Sequence, residues 1–485
     1  MADAAADSAG GQTVPINTVL MNSPFRGLNG VQEVYFIGIG GIGMSALARF
    51  FAAKGVKVSG YDKTPTPLTR SLEQQGIVIH YEENLQLIPA KPDLVVYTPA
   101  IPAAHQELVH YRQSGVKVVK RSDVLQLISE SSFNICVAGT HGKTTITTMI
   151  AHLLRHSGFG CNAFLGGISV NYDTNFWSDP RNVCVIEADE FDRSFLKLSP
   201  DIAVISAMDA DHLDIYGTAD AVEQAFIDFS KCIKPGGTLV MKSGLKRGGE
   251  LSASQKLVYG LKASEGGAYA ANVRTHQGSY TFDAVLPGKT ITDVTLHMGG
   301  MHNVENVMAA IAVADRLGVE TEKIREAVEA FRGVKRRFEY VLKNETVVFV
   351  DDYAHHPQEL EALIGGARHL FTDRKATIIF QPHLFTRTRD FAEGFAAALD
   401  GADEVILLPI YPARELPIQG VASEMIQGLM KRTNAQVLSK EAMLKWVSDV
   451  YKPRLSVRTP GLLIAAGAGD IDALLADIKE RLTVK

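Results

Sequence analysis

An apolar, strand-like run (Phe133 to Ala138) and a helix-like one (Ile146 to Arg155) flank the heptad Gly139-Thr140-His141-Gly142-Lys143-Thr144-Thr145. These residue types in this order make a phosphate cradle. Glycines let backbone N–H groups turn toward phosphate oxygens, and the N-terminus of the following helix adds partial positive charge. Lys143 is long enough to reach β/γ-phosphates, and the Thr144 hydroxyl is a ligand for Mg²⁺. The loop is shorter than G-x-x-x-x-G-K-[ST], whose first glycine would fall on Val137.

A second glycine loop, Gly38-Ile39-Gly40-Gly41-Ile42-Gly43, follows a strand-like run and precedes a helix-like one, with Asp62 ending the next strand. That pattern suits a pyrophosphate and a ribose, in a dinucleotide or in a nucleotide sugar. Glu187-Ala188-Asp189-Glu190 and Asp209-Ala210-Asp211-His212-Leu213-Asp214 each follow a hydrophobic strand. In a parallel sheet, strand C-terminal ends line one crevice, so carboxylates and an imidazole there can hold Mg²⁺ or its waters beside ATP. Asn303 and Asn306 open a long helix, where Asn303 is either an N-cap or, with Asn306, a reader of adenine. Arg336-Arg337 lies at a domain junction, placed to reach phosphate on closure. Asp351-Asp352-Tyr353-Ala354-His355-His356-Pro357 is assigned to the end of the first strand of a third domain, and Gln381-Pro382-His383-Leu384-Phe385-Thr386-Arg387 to the end of its second strand. Two His- and Arg-bearing loops suggest a carboxylate ligand, and no third group has metal-ligand spacing.

The elements that must carry these residues alternate strand and helix. Val34–Ile39, Val56–Tyr61, Leu94–Tyr97 and Val116–Lys120 are strands with helices such as Met44–Lys54 between them. A second series runs from Phe133 through Val183–Ile186 and Ile202–Ser206, short β pieces fill 251–296, and helices follow at Asn303–Leu317 and Thr321–Phe331. A third series has strands at Val347–Val350, Ala376–Phe380, Glu404–Leu408 and Gly461–Ala465. The fold class is therefore α/β, with a mobile tail at 1–30 and domains at 31–130, 131–332 and 333–485: Rossmann-like, P-loop-like and Rossmann-like.

At 485 residues, 46% hydrophobic and 21% charged with a net charge of −5, the chain is expected to be an ordinary globular protein with no nucleic-acid partner. No apolar run nears the roughly 20 residues that span a bilayer, so no membrane insertion is expected. Cys136, Cys161, Cys184 and Cys232 lack C-x-x-C spacing, and the start of the chain lacks a signal-peptide pattern, which together favour a cytoplasmic location.

The order of these blocks resembles the Mur ligases, ATP-dependent amide-forming enzymes of peptidoglycan synthesis. The resemblance runs from about Val34 to Ile478 and rests on the glycine loop, Gly-Thr-His-Gly-Lys-Thr-Thr, Glu-Ala-Asp-Glu, Ala-Asp-His-Leu-Asp, His-Asn-Val-x-Asn, Arg-Arg-Phe-Glu, Asp-Asp-Tyr-Ala-His-His-Pro, Gln-Pro-His and Thr-Arg-Thr-Arg-Asp. It implies a first domain for the UDP-sugar (Gly38, Gly40, Gly41, Gly43, Asp62) and a central one for ATP (Gly139 to Thr145, Asn303, Asn306, with Arg337 and Asp352). It also implies metal at Thr144, Glu187 and His212, and an amino-acid site at His355, His356, His383 and Arg387; Lys143, Glu187, His212 and Arg337 would be catalytic. Within the family the likeness is closest to the first-step ligases, which join L-alanine to UDP-N-acetylmuramate through an acyl phosphate. Ligases for later steps often carry a carbamylated lysine in a segment that reads Phe226-Ile227-Asp228 here. A recycling ligase that adds a tripeptide is the rival within the family. An NAD-dependent oxidoreductase or a nucleotide switch would each explain only one glycine loop. Leu384 stands where many members have Arg, Ala207 where Asn is common, and Ile79-His80 where Gly-His is usual. Arg387 is thus expected to hold the acceptor carboxylate, in a monomer or weak homodimer.

Overall fold

The structure is a computed structural model that describes residues 28, 30–210, 212–263, 266–413, 415–431 and 434–483. The tail assigned to 1–30 lies, apart from Leu28 and Gly30, outside the described residues, as does Asp211 of the second acidic block.

The Val34 to Ile37 run is buried residue after residue, as a strand covered on both faces must be. It belongs to an all-parallel sheet of β1 (Glu33–Ile37), β2 (Lys57–Tyr61), β3 (Val78–His80), β4 (Leu94–Tyr97) and β5 (Val118–Lys120), in the order β3-β2-β1-β4-β5. Strand order reverses beside β1, and the glycine loop leaves its C-terminal end there, at the crevice such sheets use for ligands. Sequence reading did not assign β3, a three-residue edge strand with Val78 exposed.

The central sheet has ten strands: β6 (Phe133–Ala138), β7 (Asn162–Ser169), β8 (Thr174–Trp177), β9 (Val183–Glu187), β10 (Ile202–Ile205), β11 (Thr238–Lys242), β12 (Gln255–Gly260), β13 (Ala268–His276), β14 (Ser279–Leu286) and β15 (Lys289–Leu296). Their order is β15-β14-β13-β12-β11-β10-β6-β9-β7-β8, parallel in the middle and antiparallel at β13-β14-β15 and β7-β8. The β7-β8 hairpin was not legible as strands, because its Gly166-Gly167 interruption and polar Asn and Thr positions dilute the alternation. Its apolar face receives the helix Ile42–Ala53: Phe50 packs on Phe164 and Phe176 at 5.5 and 6.1 Å between ring centroids. At the same contact the buried guanidinium of Arg49 donates to Asn175, whose amide donates to the Ile42 carbonyl at 2.6 Å.

The third sheet is ordered β16-β17-β21-β18-β19-β20, from β16 (Glu339–Lys343), β17 (Val347–Asp352), β18 (Lys375–Phe380), β19 (Glu404–Leu407), β20 (Ala435–Val437) and β21 (Gly461–Ala466). The Asp351-Asp352 strand is thus second in this sheet rather than first; β16 precedes it and pairs antiparallel along the edge. The connection to the central sheet is an irregular turn with Gly333, Arg336 and Phe338 all at positive φ. It is held on one side by the Lys335 N–H donating to Ile168 O (2.9 Å) and on the other by Arg336, which donates to Gly467 O and stacks on Tyr353.

Candidate functional site

The helix Lys143–His156 starts from Gly142 at φ 82°, a left-handed conformation that glycine adopts without Cβ strain. It has no side-chain cap and no acidic residue in its first turn, so its leading amides remain for an anion. Gly139, at φ 143°, passes so close to Ser206 that any Cβ would collide with the hydroxyl. Thr140 fastens the loop to the next strand's exit: its N–H donates to Ala207 O and its hydroxyl accepts from Asp209 N, both at 3.2 Å. His141 is exposed and 3.9 Å from Asp209, while Thr145 is buried under the loop.

The Lys143 ammonium donates to Gly139 O and to Glu190 Oε1, each at 2.7 Å. Glu190 is fully buried, and its Oε2 has no hydrogen-bond partner. Burial raises its carboxyl pKa, and Lys143 opposes that. Sequence reading quoted Glu190 within its block but did not place it in the site; its signal was its position one turn beyond a strand end. The Thr144 hydroxyl donates to Glu187 Oε1 (3.1 Å), and the Gly166 N–H holds the other oxygen (3.0 Å). Desolvation raises Glu187 too, against the pull of Lys143 and Arg337. A hydroxyl and a carboxylate oxygen side by side next to a phosphate cradle are a hard-oxygen pair of the kind that would suit Mg²⁺. His212 lies beside Glu190, Nε2 to Oε1 3.8 Å. Among the described residues no group of three or more His, Cys, Asp or Glu is placed to hold an ion.

The helix Met301–Arg316 is capped by Gly300, so Asn303 is inside it and is not its N-cap. Asn303 and Asn306 are both buried; Asn303 Nδ2 donates to Gly299 O (2.6 Å), Asn306 Nδ2 to Asn303 Oδ1 (3.0 Å), and Asn306 Oδ1 abuts Gly142. Burial of one amide against another explains why capping lost: Asn303 donates back to Gly299, before the helix, and accepts from Asn306 within it.

The positive charge of Arg337 pulls down the pKa of Glu187, Asp352 and His355 alike, and its guanidinium lies over Tyr353 at 5.5 Å. Asp352 accepts from Phe338 N (2.7 Å) and Ala354 N (2.8 Å), and burial lifts its carboxyl to about 6 against those amides. His355 lies 6.2 Å from His383, which stacks on Tyr411 and receives a long contact from Arg387 Nη1 (3.4 Å). Burial lowers the pKa of both imidazoles, with Arg387 reinforcing the shift, so they are neutral at pH 7. His356 turns elsewhere, its ring on Phe391 at 4.7 Å at the start of the helix Pro357–Leu370. In the first sheet, Gly41 caps the helix Ile42–Ala53, and Asp62 Oδ2 accepts from the Gly40 N–H at 2.7 Å, bracing the loop.

Three family models match consecutive stretches: "Mur ligase family, catalytic domain" at 33–132, "Mur ligase middle domain" at 137–314 and "Mur ligase, glutamate ligase domain" at 336–457. The UDP-N-acetylmuramate--L-alanine ligases of Flavobacterium johnsoniae and Phocaeicola vulgatus are 44% and 48% identical over 94% and 93% of this chain and 99% and 98% of their own. The solved UDP-N-acetylmuramate-alanine ligase of Thermotoga maritima is 31% identical, with a TM-score of 0.77 over 93% of this chain and 98% of that one. A murein peptide ligase from Psychrobacter arcticus shares the fold at 22% identity and a TM-score of 0.63. Sustained across nearly the whole length of both partners, these matches establish that the chain belongs to the Mur ligase family.

Proposed function

We infer that this protein is an ATP-dependent ligase that joins L-alanine to UDP-N-acetylmuramate, giving ADP and phosphate, in peptidoglycan synthesis. The observation that carries the reading is the near-full-length identity with L-alanine ligases, set on a phosphate cradle whose lysine and threonine face two buried or half-buried glutamates. The rival tripeptide ligase has weaker support, since a solved ligase of that kind is 28% identical over 63% of this chain, against 44% and 48% over 94% and 93% for the L-alanine ligases.

A carboxylate is inert toward amines at neutral pH. An oxygen of the lactyl carboxylate must therefore displace ADP at the γ-phosphorus, so that a new C–O–P bond forms as the P–O bond to ADP breaks. The amine then attacks the carbonyl carbon and phosphate leaves. Lys143 neutralises charge on the transferring phosphoryl group once it exchanges Gly139 O for a phosphate oxygen, with Glu190 keeping the ammonium aimed. Thr144 and Glu187 would hold Mg²⁺, which supplies charge neutralisation between phosphates when bound. Arg337 lies where it can follow negative charge from the phosphoryl group toward the acceptor. His355 and His383, neutral at pH 7, suit acceptance of the ammonium proton, and Arg387 suits pairing with the alanine carboxylate. The UDP-sugar belongs to the first domain (31–130), ATP to the second (131–332) and L-alanine to the third (333–485). Among the described residues no helix is long and apolar enough to cross a membrane, and we place the protein in the cytoplasm as a monomer or weak homodimer.

The test is phosphate release from ATP with L-alanine or the tripeptide, each with and without UDP-N-acetylmuramate. Release that requires both L-alanine and the sugar is expected; a preference for the tripeptide overturns the reading.

A further inference from the structure

A cavity of about 80 Å³ lies where the first sheet's glycine loop meets the central sheet, lined by Gly43, Phe164, Gly166, Glu187, Asp189 and Arg121, among others. Arg121 is the first residue of the helix Arg121–Glu130, directly after β5. A cation there opposes the helix macrodipole, so its own helix does not explain it. Its guanidinium crosses Gly43 so closely that a Cβ would collide with Nη1. Among the described residues its ion partner is Asp189, at a long 3.5 Å with both side chains partly exposed, a pair of the weak and exchangeable kind. Its helix is fixed to the central unit, since Lys197 bonds Asp123 and Ser122.

The cavity spans the gap the reaction must bridge. The sugar's pyrophosphate belongs at the glycine loop and the γ-phosphate at Lys143, so the lactyl carboxylate has to enter between them. That space already carries Glu187 and Asp189, and like charges at such range repel strongly in a half-buried site. Among the charged residues lining the cavity only Arg121 is a cation. Resting on the ligase reading above, we infer that Arg121 binds the lactyl carboxylate of the UDP-sugar. It exchanges Asp189 for one carboxylate oxygen and leaves the other free to attack the γ-phosphorus.

The test compares binding of UDP-N-acetylmuramate and of UDP-N-acetylglucosamine, the same nucleotide sugar without the lactyl group, to wild type, Arg121→Lys and Arg121→Gln by calorimetry. Steady-state kinetics with each substrate varied accompanies it. Arg121→Gln should weaken UDP-N-acetylmuramate roughly 10- to 100-fold, leave UDP-N-acetylglucosamine within about twofold, and raise KM for the sugar while KM for ATP and alanine stays unchanged. Arg121→Lys should fall between, retaining charge without the planar fork. Equal weakening of both sugars would move Arg121 to the pyrophosphate and overturn the inference. Unchanged binding and an unchanged sugar KM would overturn it as well, leaving only a surface pair with Asp189. If UDP-N-acetylglucosamine binds too weakly to measure, the substrate-selective KM change decides. A wild-type enzyme that consumes no ATP with UDP-N-acetylmuramate and alanine would instead refute the ligase reading.

Discussion

Asp351 is fully buried beside Asp352, with neither carboxylate oxygen hydrogen-bonded and Arg336 Nε 3.7 Å away. Burial pushes its pKa up to about 8, the arginine opposing. The folded state therefore holds a proton that the unfolded chain gives up near its ordinary carboxyl pKa. Stability should fall as pH rises from about 4 toward 8, because in that window the native state binds more protons than the unfolded one. Asp351→Asn removes the titration while keeping the shape. Denaturant unfolding should show the variant gaining on wild type at pH 8 relative to pH 4, and an equal offset at both would refute the assignment. The pair shows how side chains adjacent in sequence part in role: Asp352 is tied to two amides, whereas Asp351 has only a distant guanidinium.

Among the elements, the helix Ile42–Ala53 has two duties. Its N-terminus carries the glycine loop, and its body docks on the β7-β8 hairpin through Phe50, Phe164 and Phe176. Phe50 is about 1% exposed, so truncation leaves a cavity at a joint between units. Phe50→Ala should cost about 3–5 kcal/mol of stability and separate unfolding of the first unit from that of the second. Equilibrium denaturation followed by fluorescence and by circular dichroism checks it; coincident, unshifted transitions would mean the joint carries little of the stability. The same hairpin supplies Gly166, whose amide orients Glu187, so docking and the hard-oxygen pair share one element.

Over the whole molecule, chemistry is divided: the glycine loop is on one sheet, the phosphate cradle on the second and the histidine–arginine cluster on the third. That division sets an expectation for Lys143→Ala. Phosphate release should be abolished, while calorimetric affinity for UDP-N-acetylmuramate changes little, since the lysine's partners, Gly139 and Glu190, both belong to the central unit. Collapse of sugar binding in a folded variant would show that the units do not act separately.

Local chemistry decided much of this protein in the sequence alone. Strand cores such as Phe133–Ala138, the helix behind Lys143, and both glycine loops were legible because apolar runs, backbone freedom and motif spacing act over a few residues. Relations between distant residues were not legible, because burial and electrostatics depend on what folding brings near. Glu190 became the partner of Lys143 and His212 its neighbour through strand ends meeting across a parallel sheet. Asn303 is not the cap because Gly300, three residues earlier, takes that position, and His356 parted from His355 at a helix start. Arg121, a single arginine after a three-residue strand, had no motif to mark it. Only the packing of the first unit on the second placed its charge over Gly43, in the cavity lined by Gly43, Gly166 and Glu187.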